Sequence, residues 1–227
     1  SSVAIIPARG GSKRIPRKNI KPFMGKPIIE YSIKAALDSG LFDEVMVSTD
    51  DAEIVEVAKK AGASVPFLRS PQTANDYAHL GDVIDEVLTT YYAKGTDFNY
   101  FCCILATAPF ITAKRIQEGF DLLNSKNFDS VYPVLKFGYP IQRALKIEED
   151  KLSMIQPQYL LSRSQDLMPA YQDSGQFYWC RSSVFMKTKI MLTDNTGAIV
   201  LSDLEVQDID TQEDWEVAEF KYQVLHK

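Results

Sequence analysis

The sequence predicts an α/β fold, with a mostly parallel sheet flanked by helices and a small inserted antiparallel subdomain. Three observations predict it. Short apolar, β-branched runs alternate with segments of helical periodicity up to about residue 136. The apolar runs are nearly continuous, as in strands that are buried on both faces of a parallel sheet. After residue 136 the alternation gives way to short strand-like pieces that are rich in aromatic residues.

Each predicted strand is a short apolar run bounded by turn-forming or charged residues. The predicted strands cover residues 3–8, 44–50, 64–69, 100–105, 129–135, 197–201 and 205–209. Cys102 and Cys103 are adjacent in the run "YFCCIL" and should point to opposite faces of its strand. With Cys180 they are interpreted as buried core thiols rather than as a redox or zinc site.

Each predicted helix combines a 3.6-residue apolar period with terminal signals. Pro27 lies near the start of the first helix and Gly40 just after it, and Thr211 with Asp214 forms an approximate capping box for the last one. The predicted helices cover residues 27–40, 51–62, 80–94, 112–125 and 211–225.

Composition narrows the class of protein. The 227 residues carry a net charge of −5, which argues against a general nucleic-acid-binding protein. No apolar run approaches the roughly 20 residues that span a bilayer, and the first residues lack the apolar segment of a secretion signal. We therefore expect a soluble, cytoplasmic protein that binds neither nucleic acid nor membranes.

A basic, glycine-containing loop follows the first strand. Between Ser1 and Lys26 the sequence has no Asp or Glu and seven cations: Arg9, Lys13, Arg14, Arg17, Lys18, Lys21 and Lys26. The backbone of Gly10, Gly11 and Ser12 can present N–H groups to one anion. Loops at the carboxyl ends of parallel strands bind ligands, so a polyphosphate pocket is favoured over a solvated basic loop.

Motif spacing excludes two common nucleotide-binding classes. The loop contains neither the G-x-x-x-x-G-K-[ST] pattern of P-loop proteins nor the G-x-G-x-x-G pattern of dinucleotide-binding dehydrogenases. Arg9, Lys13 and Lys18 are the cations that we expect to reach a polyphosphate.

Two late carboxylates are candidate metal ligands. Asp208 and Asp210 are two residues apart in a strand-like segment, which predicts that both lie on one face. Oxygen ligands of this kind suit Mg²⁺, which also binds substrate phosphates. The alternative is a pair of exposed carboxylates at a strand end, but a polyphosphate loop in the same chain favours the metal site.

The segment "IIPARGGSKRIPRKN" (5–19) resembles the signature of the CMP-sialic acid synthetase family, and "FLRSPQTAND" (67–76), "TAP" (107–109) and "DIDTQEDW" (208–215) support the resemblance. The resemblance implies a nucleotidyltransferase core with a Rossmann-like sheet (residues 1–136 and 190–227). It also implies a dimerisation and sugar-binding subdomain (residues 137–189) and a homodimer. The implied reaction joins CTP and a nine-carbon sugar acid into a CMP-sugar and pyrophosphate, with Mg²⁺ as cofactor.

The resemblance also implies roles for individual residues. Arg9, Lys13 and Lys18 are the predicted catalytic cations, and Asp208 with Asp210 is the predicted metal pair. The predicted nucleotide-binding residues are Ala8, Gly10, Gly11, Ser12, Asn19 and Arg69.

Within the family, "PIQRALK" (140–146) and "RSQDLMPAYQDSGQFYW" (163–179) most resemble the branch that activates pseudaminic acid for bacterial surface or flagellar glycans. Sialate-type members often carry Gln at the position of Leu105 and Arg-Pro-Asn-Gly where this chain has Gln172-Asp173-Ser174-Gly175, and in that branch both positions touch the sugar. These departures favour a different nine-carbon acid. Activation of N-acetylneuraminate, legionaminate or Kdo remains an alternative. A catalytically inactive nucleotide-binding regulator is the alternative from another class.

The sugar acid is expected to bind between the core and the subdomain. Arg143 or Arg163 could pair with its carboxylate in a bidentate manner, and the alternative for each candidate is a purely structural contact. The substrate candidates are Gln142, Arg143, Arg163, Gln165, Asp166 and Tyr178. Neither His79 nor His226 has a setting that identifies a general base.

Overall fold

The computed structural model describes residues 1–76 and 78–227. Its strands are β1 (Ser2–Pro7), β2 (Pro22–Phe23), β3 (Lys26–Pro27), β4 (Glu44–Ser48), β5 (Tyr100–Ile104), β6 (Ser130–Lys136), β7 (Leu145–Glu148), β8 (Lys151–Met154), β9 (Tyr171–Asp173), β10 (Phe177–Arg181) and β11 (Thr196–Leu201). Its α-helices are α1 (Ile29–Ser39), α2 (Ala52–Lys60), α3 (Pro71–Ala74), α4 (Leu80–Ala93), α5 (Ala113–Ser125), α6 (Ser182–Thr188) and α7 (Gln212–Leu225).

The central sheet has the order β11-β6-β10-β5-β1-β4. A seventh strand, β9, pairs with residues 134–136 at the end of β6. Strand β1 is parallel to β4 and β5, and β11 is parallel to β6. Strand β10 lies antiparallel between β5 and β6, so those two run in the same direction. The predicted α/β fold with a mostly parallel sheet is therefore confirmed.

Helices pack on both faces of this sheet. Alternate strand residues point to opposite faces, and each set forms an apolar cluster with the helices on its side. On one face Ile6, Cys102 and Trp179 pack with residues of α1, α2 and α5. On the other face Cys103 and Cys180 pack with residues of α4 and α6. All three cysteines are buried as free thiols, and burial raises the pKa of each. The prediction of core thiols on opposite faces is confirmed.

A third cluster joins the first loop to the last helix. We call it the loop–helix cluster, and its buried members are Ile15, Phe23, Ile28, Phe110, Ile209, Trp215 and Ala218. The Phe23 ring packs edge-on against Trp215 at a centroid distance of 5.7 Å. The predicted capping box of α7 is confirmed, since the Asp214 N–H donates to Thr211 Oγ1 at 3.2 Å. These contacts place residues 208–211 beside the basic loop.

Two predicted strands are wrong. Residues 64–69 form only an isolated bridge between Met46 and Ser64, because Pro66 has no N–H with which to extend the ladder. Residues 205–209 do not form a strand either. Their buried side chains, Val206 and Ile209, are three positions apart rather than two, and Ile209 packs into the loop–helix cluster. The other five strands and all five helices predicted from the sequence are confirmed.

The segment 137–170 lies outside the central sheet and carries the antiparallel hairpin β7–β8. The predicted insertion was longer and ended at residue 189, but β9 and β10 belong to the central sheet and α6 packs against β10. The division into two domains stays a prediction. None of the described helices is long and apolar enough to cross a membrane.

Candidate active site

A cavity of about 490 Å³ opens at the carboxyl ends of β1 and β5. Pro7 ends β1, and Leu105, Ala106 and Thr107 follow β5, and all four residues line the cavity. The basic loop contributes Arg9, Gly11, Ser12, Lys13, Arg14, Ile15, Lys18 and Asn19 to the same walls. This is the edge at which parallel α/β sheets bind their ligands.

Acids at the start of α2 hold the basic loop in place. The Arg17 guanidinium donates to Asp51 at 2.6 and 2.8 Å and to Glu53 at 2.8 Å. Arg17 has a φ of 56°, a left-handed conformation that residues with side chains adopt at a cost, so these ion pairs hold a strained turn. The hydrogen bonds from Arg17 lower the pKa of Asp51 to about 2, and Asp51 also caps α2 by accepting from Glu53 and Ile54.

Gly10 and Gly11 have different roles in this loop. A Cβ on Gly10 would lie 2.6 Å from Asp51 Oδ2, so a larger residue there would displace the Asp51 side chain. The Gly10 N–H donates to Asp50 at 3.3 Å. A Cβ on Gly11 would meet nothing within 4 Å. Gly11 and Ser12 line the cavity, whereas the Gly10 N–H is already bonded to Asp50. Fewer backbone N–H groups therefore face the cavity than the sequence predicted.

Lys18 joins the basic loop to the late carboxylates. Its Nζ donates to the backbone carbonyl of Ile209 at 2.8 Å, and Ile209 lies between Asp208 and Asp210. Asn19 closes the other side of the loop by donating from Nδ2 to the Arg9 carbonyl at 2.9 Å. Residues that are 191 positions apart in the chain therefore meet at one point.

Asp208 and Asp210 offer oxygen ligands of the kind that Mg²⁺ prefers. Asp210 lines the cavity, and Asp208 is exposed next to it. Desolvation by the surrounding protein and repulsion from Asp210 raise the pKa of Asp208. Within the described residues no group of three or more His, Cys, Asp or Glu forms a metal site. Two carboxylates suffice for Mg²⁺, because this ion keeps water and substrate phosphates as its other ligands.

Asp76 lies opposite the cations of the loop. Arg9 Nη1 donates to Asp76 Oδ1, and Lys13 Nζ lies 2.8 Å from Asp76 Oδ2. The hydrogen bonds from Lys13 and Arg9 lower the pKa of Asp76. All three residues line the cavity, so an internal anion contacts two of the three cations that the sequence assigned to the polyphosphate.

Arg69 forms a buried part of the cavity wall. Its Nε donates to the Thr73 carbonyl at 2.8 Å and its backbone N–H donates to the Thr49 carbonyl at 2.9 Å. Burial lowers the pKa of the Arg69 guanidinium, and the charge of Asp50 opposes that shift. The side chain therefore places a fixed, poorly hydrated cation in the cavity wall.

The structure brings together most of the residues predicted for the nucleotide and the metal. Those that line the cavity are Arg9, Gly11, Ser12, Lys13, Lys18, Asn19, Arg69 and Asp210. Ala8 instead is buried in the core, where its N–H donates to the Ser48 carbonyl at 2.9 Å. Gly10 and Asp208 lie next to the cavity without lining it.

The residues predicted for the sugar lie elsewhere. Arg143 and Gln165 line a second cavity of about 590 Å³, which is formed by the segment 136–170. Gln142 donates to the Met168 carbonyl at 3.1 Å, and Arg163 pairs with Asp166 at 2.7 Å. The Tyr178 hydroxyl is buried and donates to Asp173 at 2.6 Å, and burial raises its pKa. None of these six residues lines the first cavity of the described chain.

Sequence reasoning missed two charged residues of the first cavity. Arg14 was counted in the basic run but given no role, and Asp76 ends the quoted segment "FLRSPQTAND". The remaining walls include Ala78, His79, Leu80 and Val83. His79 donates its backbone N–H to Asp82 at 3.1 Å, whereas His226 stacks on Tyr222 at 3.9 Å.

The α/β sheet gathers several cations and Asp210 around one cavity at its carboxyl edge, an arrangement that suits a ligand with phosphate groups. The chain belongs to the cytidylyltransferase family, whose model matches residues 3–200.

Curated relatives extend over the whole chain. Pseudaminic acid cytidylyltransferase of Campylobacter jejuni subsp. jejuni serotype O:2 is 40% identical over 227 residues, covering 100% of this chain and 98% of the relative. CMP-N,N'-diacetyllegionaminic acid synthase of Legionella pneumophila subsp. pneumophila is 31% identical, covering 96% of this chain and 94% of the relative.

A solved structure shares the fold. It is CMP:2-keto-3-deoxy-manno-octonic acid synthetase complexed with CTP, with a TM-score of 0.73 and 16% identity. The match covers 100% of this chain and 99% of that chain, and at this identity it shows the fold alone.

Proposed function

We propose that this chain transfers the cytidylyl group of CTP to pseudaminic acid and releases pyrophosphate. The observation that carries the proposal is the 40% identity with the Campylobacter enzyme over 227 residues. The first cavity supports it, because Arg9, Lys13 and Lys18 line the same space as Asp210.

In the proposed reaction the anomeric hydroxyl oxygen of the sugar acid forms a bond to the α-phosphorus of CTP. The bond between the α-phosphorus and the oxygen that bridges to the β-phosphate breaks, the sugar hydroxyl loses its proton, and pyrophosphate leaves with the bridging oxygen. Positioning and charge stabilisation do most of the work in such transfers. Arg9, Lys13 and Lys18 stabilise the charge that builds on the leaving pyrophosphate, and Arg69 adds a fixed cation.

Asp208 and Asp210 hold Mg²⁺ in this proposal. When bound, the ion neutralises phosphate charge and orients the reacting groups. Asp210→Ala is expected to weaken Mg²⁺ binding to the CTP complex in calorimetry, with Asp38→Asn as a charge-matched control because Asp38 pairs with Lys34 on the surface. Equal Mg²⁺ affinity in both variants would remove the metal role of Asp210.

The six sugar candidates suggest how the rest of the site forms. They do not line the nucleotide cavity of their own chain, and the segment that carries most of them exposes Tyr139, Ile147 and Leu161. We therefore propose a homodimer through this segment. CTP is a cytoplasmic metabolite, so we also propose a cytoplasmic reaction that supplies CMP-sugar to bacterial surface or flagellar glycans.

Legionaminic acid is the second candidate substrate, because the Legionella relative is 31% identical over nearly the whole chain. Pyrophosphate release from CTP should be measured with pseudaminic acid, legionaminic acid, N-acetylneuraminic acid and Kdo in parallel. Turnover that is highest with pseudaminic acid supports the proposal. Highest turnover with another acid would make that acid the substrate. No pyrophosphate release with any of the four acids would favour an inactive nucleotide-binding regulator.

A further inference from the structure

We propose that Asp76 competes with the phosphates of the nucleotide for Arg9 and Lys13, and so sets the affinity for CTP and pyrophosphate. This inference rests on the proposed function, because it takes the first cavity to be the triphosphate site.

Both oxygens of Asp76 are occupied by cavity cations. Oδ1 accepts from Arg9 and Oδ2 lies 2.8 Å from Lys13 Nζ. The other cavity cations are arranged differently, since Lys18 and Arg69 donate to backbone carbonyls. Arg14 forms no hydrogen bond or ion pair with any residue that the structure describes. Arg9 and Lys13 are therefore the cavity cations whose partner is a carboxylate rather than a backbone carbonyl.

Exposure indicates that this contact can be exchanged. The side chains of Arg9, Lys13 and Asp76 are 34%, 81% and 40% exposed, so water solvates each ion and the pairs are weak. A polyphosphate carries several charges and accepts short, charge-assisted hydrogen bonds from the same donors. Phosphate oxygens can therefore displace Asp76 at low cost.

A purely structural role for Asp76 is disfavoured by the other anchors of the loop. Arg17 is bound to Asp51 and Glu53, Asn19 to the Arg9 carbonyl, and Lys18 to the Ile209 carbonyl. None of these contacts involves Asp76. Loss of the Asp76 charge leaves the loop attached at both sides and frees two cations for the ligand.

In the resting pocket Asp76 keeps Arg9 and Lys13 directed at the cavity. When pyrophosphate dissociates, the carboxylate takes the cations back, which disfavours rebinding of the product. Removal of the Asp76 charge should therefore strengthen the binding of both CTP and pyrophosphate.

The test is calorimetric titration of the full chain with inorganic pyrophosphate and with CTP. Asp76→Asn is expected to bind both about 3- to 10-fold more tightly than the wild type. Asp38→Asn, which removes the same charge from a surface pair with Lys34, should leave both affinities unchanged. Asp76→Ala provides a second variant without the amide, and circular dichroism establishes that each variant is folded.

Lys13→Gln tests whether Asp76 changes ligand affinity through its contact with Lys13. In that background the gain from Asp76→Asn should shrink, because one of the two competed cations is absent. Unchanged or weaker pyrophosphate binding in folded Asp76→Asn and Asp76→Ala would overturn the inference, as would an equal gain in Asp38→Asn. If the wild type binds neither CTP nor pyrophosphate, the proposed function fails instead, so the two failures are distinguishable.

Discussion

The region around the first cavity and the segment 137–170 are built in opposite ways. Around the first cavity, large side chains such as Phe23 and Trp215 are buried and tie the loop to the last helix. In the segment 137–170, Tyr139 and Leu161 are 83% and 92% exposed. The comparison teaches that buried side chains hold the walls of the first cavity together, whereas the segment 137–170 exposes large apolar side chains.

Trp215→Ala, in the loop–helix cluster, should cause the largest loss of stability. Trp215 is buried at the centre of the loop–helix cluster, and removal of a buried Trp costs about 3–5 kcal/mol of unfolding free energy. Urea denaturation measures this loss. Phe220→Ala on the same helix is the control, because Phe220 is exposed and its loss should cost little. Equal costs for the two variants would contradict the role of the cluster.

Lys18→Ala should reduce turnover at least about a hundredfold, or roughly 2.7 kcal/mol of activation free energy. The reason is that Lys18 both lines the cavity and bonds to Ile209 between the two carboxylates. Pyrophosphate release measures turnover, and the thermal midpoint reports folding. Lys26→Ala is the control, since Lys26 belongs to the same basic run but does not line the cavity. Near-normal turnover of folded Lys18→Ala refutes the role.

Leu161→Asp tests whether the exposed apolar segment 137–170 forms a dimer interface. A charge in the centre of a proposed apolar interface should convert the homodimer into monomers, as measured by analytical ultracentrifugation. Tyr92→Asp changes an exposed apolar residue on α4 and should leave the oligomeric state unchanged. If the wild type is a monomer, or if both variants dissociate alike, the segment 137–170 is not the interface.

Asp51→Asn should have the smallest effect, about 1–2 kcal/mol at neutral pH. Pairing with Arg17 lowers the pKa of Asp51 from 3.8 to about 2. This stabilisation is therefore complete above about pH 4 to 5 and is lost as the pH falls towards 2. Urea denaturation at a series of pH values should show the gap between wild type and variant closing in that window. A gap that is independent of pH would contradict the assignment.

Much of the fold could be predicted because its signals are local. The runs "VAIIP" and "YFCCI" are apolar enough to identify buried strands, and the terminal signals of α1 and α7 limit those helices. Strand β10 was assigned to the insertion because its run "FYWCR" is short and follows irregular sequence. Only its pairing with β5 and β6, remote in sequence, identifies it as a central strand.

The grouping of the loop residues around one cavity could also be predicted in part. Glycines and cations in one loop indicate an anion site, and the structure places most of them around one cavity. The position of Asp76 was not predictable, because a carboxylate 67 residues from Arg9 gives no local sign of pairing with it. The acid pair was expected on a strand, whereas the buried Ile209 between the two carboxylates fixes their position instead.

The bond between Lys18 and Ile209 has a consequence for biosynthesis. Ribosomes make the basic loop early, but its acceptor and the Trp215 ring emerge only after about two hundred further residues. A nascent chain therefore carries its basic loop before the residues that anchor the loop have been made. The basic loop therefore gains its last anchors only when α7 packs against Phe23.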